Sequence, residues 1–122
     1  MDFMNDKRQD GVPQVWLGDL NVSPSIPEFG IDGEYESNYD TIVADGWVEA
    51  NTFSDTPFCT HCPEENVTGL FEGANTSAID HIWVRNANVS NPERLLDETY
   101  RAWGKTYHPS DHFALGALVS PN

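Results

Sequence analysis

Positive charge is the scarcest feature of this sequence. Six Lys and Arg stand against twenty Asp and Glu, for a formal charge of −14 and an isoelectric point near 4.2. Nonspecific nucleic-acid binding relies on Lys and Arg neutralising phosphates, and Lys7-Arg8 is the only adjacent basic pair. The acids are dispersed rather than gathered in one tail, so the expected surface is acidic throughout and repels polyphosphate backbones. Long apolar runs are also missing. No stretch approaches the roughly 20 apolar residues of a membrane-spanning helix, and Met1-Asp2-Phe3-Met4-Asn5-Asp6 lacks the layout of a signal peptide. Cysteine is limited to Cys59 and Cys62. A structural zinc site takes four ligands, and no second Cys or His pair follows at motif spacing. Cys59-Thr60-His61-Cys62 therefore reads better as a disulfide-closed or reduced loop, with zinc held through Cys59, His61 and Cys62 as the lesser alternative. An oxidised pair would suit a secreted or extracytoplasmic home. Neither internal repeats nor low-complexity segments occur.

What is present is enough for one small domain. The 122 residues are 39% hydrophobic and include four Trp, four Tyr and six Phe, a globular composition with a modest core. Phe3 to Arg8 reads as the tail of a helix, stopped by Gly11 and Pro13. Val15-Trp16-Leu17 is a short apolar run bounded by Pro13 and Ser23-Pro24, which predicts a strand covered on both faces. Val22 to Glu36, with two prolines and two glycines, predicts a loop. Ser37 and Asp40 then have capping-box spacing for a short helix with Tyr39, Ile42 and Val43 on one face, ended by Gly46. Trp47 to Ala50 reads as a short extended segment, and Asn51 to Ser77 as a long loop. Ile79 to Arg85 is a clear strand, and Glu93 to Asp97 a weak one. Tyr100 to Pro109 is expected to be an aromatic loop, and Phe113 to Val119 a final buried strand. The class is α/β or α+β, with strands dominating.

Three strand-end motifs carry acids: Gly18-Asp19-Leu20-Asn21, Ile79-Asp80-His81-Ile82 and Ser110-Asp111-His112-Phe113. They lie too far apart for a local turn, so only the fold can gather them. Asp19 and Asn21 are two apart and on extended backbone would point the same way. An Asp inside a strand is costly to bury unpaired, and the His112 imidazole N–H is a natural partner for Asp80, fixing the ring's tautomer. Taken singly, each motif is more simply a strand-end turn, a cap or a satisfied histidine. Their order argues otherwise.

In this order the motifs resemble the endonuclease/exonuclease/phosphatase superfamily, with its deoxyribonuclease-I-like fold; the resemblance runs from residue 14 to residue 119. Leu20-Asn21-Val22 also resembles its bacterial sphingomyelinase branch. The resemblance implies that Asp19 orients or deprotonates an attacking water, that Asn21 holds the phosphate and that aspartate, and that Asp80 orients His112. His112 would stabilise the phosphoryl oxygens, and Asp111 would lie in or beside the shell of Mg2+ or a relative such as Mn2+. The implied substrate is a phosphoester: nucleic acid, nucleotide or phospholipid head group. Acidic charge argues against a processive nuclease.

The family's fold is a four-layer α/β sandwich with mainly antiparallel or mixed sheets. Its amino-terminal half supplies an Asn, a metal-binding Glu and a second catalytic His, and none of these motifs precedes Asp19. Residues 1–122 are therefore expected to be the carboxy-terminal half of such a domain. A half-sandwich would leave an apolar sheet face bare, favouring self-association or pairing with the missing half. Glu28, Glu34 and Glu36 are loop acids with no assigned role. His61, His81 and His108 are expected on the surface or in packing, with His108 a poor second candidate for the site. The rival reading is a non-catalytic fragment or interaction module, favoured by the absent metal-binding Glu.

Overall fold

Alternating residues sort the central strands onto two faces. In the computed structural model, which describes residues 11–67 and 74–122, β1 (Gln14–Asp19) pairs antiparallel with β3 (Asp80–Arg85). The other edge of β3 pairs with the short β2 (Val48–Glu49), again antiparallel, giving the order β1-β3-β2. The register sets Trp16 opposite Trp83, and Trp83 opposite Glu49. Opposed residues of antiparallel strands project to the same side, so these three share the inner face. That face packs on α1 (Glu36–Ala44), where Tyr39 and Ile42 join Val22, Trp47 and Trp83 in the buried cluster. Leu20 and Val43 close its margins. The expected helical tail at Phe3 to Arg8 lies outside the described residues.

The outer face carries Val15, Leu17, Ile82 and Val84, and here one expectation fails. β1 is not covered on both faces: Val15 is 46% and Leu17 66% exposed. It is an edge strand of its sheet, and its outer side opens on a cleft that Leu17 lines together with Leu96 and Leu115. Val84 is buried where a second unit packs on β3. That unit is a ribbon of β4 (Ala87–Leu95) and β7 (Ala114–Pro121), again antiparallel. The strand expected at Glu93 to Asp97 thus starts earlier and ends at Leu95. Its register shifts between Ser90 and Glu93, where Asn91 has φ 52°, and such a bulge accommodates Pro92 within a strand. β7 is not the buried strand its composition suggests: Phe113 just before it is fully buried, but Leu118 and Val119 are exposed.

Two local expectations also change. Tyr100 to Pro109 is not a plain loop but contains a hairpin, β5 (Tyr100–Ala102) with β6 (Lys105–Tyr107). Trp103 and Gly104 both have positive φ (54° and 74°), as the tight two-residue hairpin turn demands. The capping box is not formed either. Tyr35 occupies the N-cap in a left-handed conformation without a side-chain bond, and the Ser37 carbonyl accepts the Thr41 hydroxyl at 2.8 Å. Backbone pairing between Ser23 and Glu34, at 2.8 and 3.0 Å, fixes the chain just upstream and so sets where the helix begins. Antiparallel pairing throughout and few short helices make this an α+β arrangement.

The helix also supplies a pH prediction. The Tyr39 phenol lies 2.7 Å from the Thr52 hydroxyl. Burial pushes its pKa up to about 12, opposed by the Thr52 hydrogen bond and assisted by the charges of Glu49 and Asp40. Unfolded tyrosine ionises near its ordinary value of about 10. The stabilisation from a neutral Tyr39 is therefore complete below pH 10 and lost as pH rises through about 12. Thermal melts at stepped alkaline pH should show this loss in the wild type and a smaller one in Tyr39→Phe. Equal slopes would contradict it.

Candidate functional site

The β1–β3 register places Asp19 directly opposite Asp80 at the end of the pair. Like charges directly opposed across strands are unfavourable, so this end of the sheet calls for positive charge. His112 supplies it. Its Nδ1 donates to Asp80 Oδ2 at 2.7 Å, and ligand atoms of Asp19, Asp80 and His112 all lie within 4.8 Å of one another. Strand pairing places the two carboxylates, and the segment leading into β7 brings in the imidazole.

Several contacts hold that segment. The Ser110 hydroxyl accepts the His112 backbone N–H at 3.1 Å, and the Ser110 carbonyl accepts the Asn66 amide at 2.8 Å. His108 is buried against Phe113, with ring centroids 5.0 Å apart, and its Nδ1 accepts the Val67 N–H at 2.9 Å. The proton of a neutral His108 ring is therefore on Nε2, and the residue serves packing. His81 is buried on the inner face and donates from Nε2 to the Val22 carbonyl at 2.7 Å. Its Nδ1 lies 3.4 Å from Glu49 Oε1 without the alignment of a hydrogen bond.

His112 remains protonated to higher pH than an ordinary histidine. Burial alone would lower its pKa, but the hydrogen bond to Asp80 and the charges of Asp80, Asp111 and Asp19 more than offset that. With Nδ1 bonded to Asp80, Nε2 is the nitrogen left for a ligand. Beside the cluster is a cleft of about 370 Å³, acidic at Asp19 and Asp80 and apolar along Leu17, Ile82, Leu96 and Leu115.

Asn21 and Asp111 stand apart from the cluster of Asp19, Asp80 and His112. Extended backbone stops at Asp19, and Asn21 turns to φ 53°, a conformation asparagine tolerates well. The two side chains are therefore not in phase; instead the Asn21 backbone N–H donates to Asp19 Oδ1 at 3.0 Å. This is an Asx-type turn, and it steadies Asp19 from behind. Asp111 is not among the three residues whose ligand atoms converge. It acts on His112 through its charge. Glu28, Glu34 and Glu36 likewise belong to no metal-capable group among the described residues.

The Cys59-Thr60-His61-Cys62 loop lies against this site. The two sulfurs form a disulfide, which leaves no thiolate to bind zinc and corrects that alternative. The His61 ring faces His112 instead, centroids 5.2 Å apart, and its Nδ1 donates to the Asn75 carbonyl at 3.2 Å. Strand-end reasoning did not assign His61 or Thr60 to the site, because nothing in a Cys-x-x-Cys spacing says which strand ends the loop will touch. No family model, curated protein or solved structure matches the chain. What defines the site is its geometry: an acid–imidazole cluster at the strand ends of an α+β domain.

Proposed function

We propose that the chain is a divalent-metal-dependent phosphoester hydrolase, water attacking phosphorus in line. One observation carries the reading: the Asp80–His112 hydrogen bond of 2.7 Å, with Asp19 in the same cluster. Two carboxylates are hard oxygen donors that suit Mg2+ or Mn2+, which leave their remaining positions to water and phosphate oxygens. Asp19 and Asp80 would hold such an ion, and when bound it would offset charge building on the phosphoryl oxygens. Asp19 orients the attacking water and accepts its proton. Asp80 fixes the tautomer and direction of His112. His112, protonated, donates from Nε2 to a phosphoryl oxygen as charge develops there. The family resemblance extends this to a half-sandwich fold of the deoxyribonuclease-I-like type.

A non-catalytic interaction module is the second reading, favoured by the exposed Val15 and Leu17 on the outer face of β1. The deciding experiment is Mg2+-dependent hydrolysis of plasmid DNA, a chromogenic diester and sphingomyelin, run beside His112→Ala. Activity lost in that variant, with an unchanged circular-dichroism spectrum, is the expected result. Equal rates in the two proteins, or none in either, would favour the interaction module.

A further inference from the structure

We infer that Thr60 is a positioning residue, the one that sets the Asp80–His112 pair in register; this rests on the hydrolase reading only for its kinetic consequence. Thr60 is fully buried and bonds the backbone of Asp80 and that of Phe113, the residue after His112. Its hydroxyl oxygen accepts the Ile79 and Asp80 N–H groups, each at 3.2 Å. Its carbonyl accepts the Phe113 N–H at 2.7 Å. One residue therefore holds the base of Asp80 by its side chain and the residue after His112 by its main chain.

The surroundings make Thr60 a fixed point. Cys59 and Cys62 close a short disulfide loop around it, and such a ring has few backbone states. The loop is anchored a second time by Ser77, whose carbonyl accepts the Thr60 and His61 N–H groups at 3.0 Å each and whose own N–H reaches the His61 carbonyl at 2.9 Å. On the far side His61 bridges to His112 and lays its ring against the His112 ring. β3 and the approach to β7 do not pair with each other in any sheet. At the level of Asp80 and His112 the bridging main-chain contacts come from this loop. Small errors in placing such groups cost rate steeply.

The test compares Thr60→Val, which keeps the shape and removes the hydroxyl, with Thr60→Ser, which keeps the hydroxyl. Nuclear magnetic resonance reads the downfield Nδ1 proton of His112, a direct signature of its bond to Asp80. Thr60→Val should lose that resonance to exchange, and Thr60→Ser should retain it. In steady-state kinetics with Mg2+ and the chromogenic diester, Thr60→Val should lower kcat about tenfold or more while KM stays within about twofold, with Thr60→Ser near wild type. A Thr60→Val protein that folds and keeps both the ring proton and kcat would overturn the inference. Should Thr60→Val not fold, amide exchange in the wild type decides. Asp80 and Phe113 amides as protected as the centre of β3 support the clamp, and exchange at loop rates refutes it. If the wild type hydrolyses none of the phosphoesters, the hydrolase reading fails while the resonance and exchange results still decide the role of Thr60.

Discussion

Asp80→Asn is expected to lower kcat/KM by about 10²–10⁴-fold, the range associated with loss of a positioned acid–base function. The substitution preserves size and leaves an oxygen that can still meet the His112 N–H. What it removes is charge. The bond and charge of Asp80 are the leading influences that hold the His112 pKa up against burial. In the wild type, the protonated ring therefore persists above the ordinary histidine value of 6.5. A group whose pKa is raised by folding contributes its full stabilisation below the unfolded value, and that contribution disappears as pH climbs through the folded one. The alkaline limb of the activity profile should follow the same titration, because the proposed role needs the cation. In Asp80→Asn that limb should move to lower pH, because the largest influences raising the His112 pKa are the bond and charge of Asp80. An unshifted limb would mean that His112 is not the titrating group, whatever happens to the rate.

The second large effect concerns stability. Glu49→Leu should cost about 3–6 kcal/mol, from three stranded backbone donors at about 1–3 kcal/mol each, less what the added apolar contact returns. Glu49 is fully buried on the inner face of the sheet. One carboxylate oxygen accepts the Ile82 N–H at 3.1 Å. The other accepts the Asn51 and Thr52 N–H groups and the Thr52 hydroxyl. Both oxygens are in use as acceptors, so Glu49→Gln should also destabilise: its amide nitrogen would confront N–H groups with another donor. Against a typical stability of about 5–15 kcal/mol, the leucine variant is expected to lie near its unfolding threshold. Urea titration measures this directly. A midpoint within experimental scatter of wild type would show that water already satisfies those donors.

How far the sequence foretold this arrangement depends on the range of the interaction. β3 was legible because Ile82, Trp83 and Val84 make a short apolar run, and α1 because Tyr39, Ile42 and Val43 recur at helical spacing. The strand-end acids were legible as a set, and the structure does bring Asp19, Asp80 and His112 together. Their exposure was not legible. An apolar run such as Val15-Trp16-Leu17 reports a wish for cover, while cover itself depends on which neighbours the fold supplies. Asn21 was misjudged because two-residue periodicity holds only while the backbone stays extended, and it stops at Asp19. The hairpin at Tyr100–Tyr107 was hidden by its turn, since Trp103-Gly104 lacks the Asn or Asp that usually marks such corners. Glu49 and Thr60 left no trace at all. Thr60 is bonded by Asp80 and Phe113, and Glu49 by Ile82, all far along the chain. Although Glu49 also caps the nearby Asn51 and Thr52, no local pattern says that it will be buried.

Trp103 at that hairpin corner is 96% exposed, whereas Trp47 and Trp83 are 1% and 0% exposed and Trp16 packs partly buried against their cluster. The protein's intrinsic fluorescence is consequently a mixture of two optical populations. An aqueous collisional quencher should extinguish the long-wavelength share at once and leave a blue component that it barely reaches. Unfolding moves only the blue component, so the emission of the native protein is already partly red and the total spectral shift understates the loss of structure. Trp103→Phe would strip away that background, leaving a chain whose fluorescence follows its core alone.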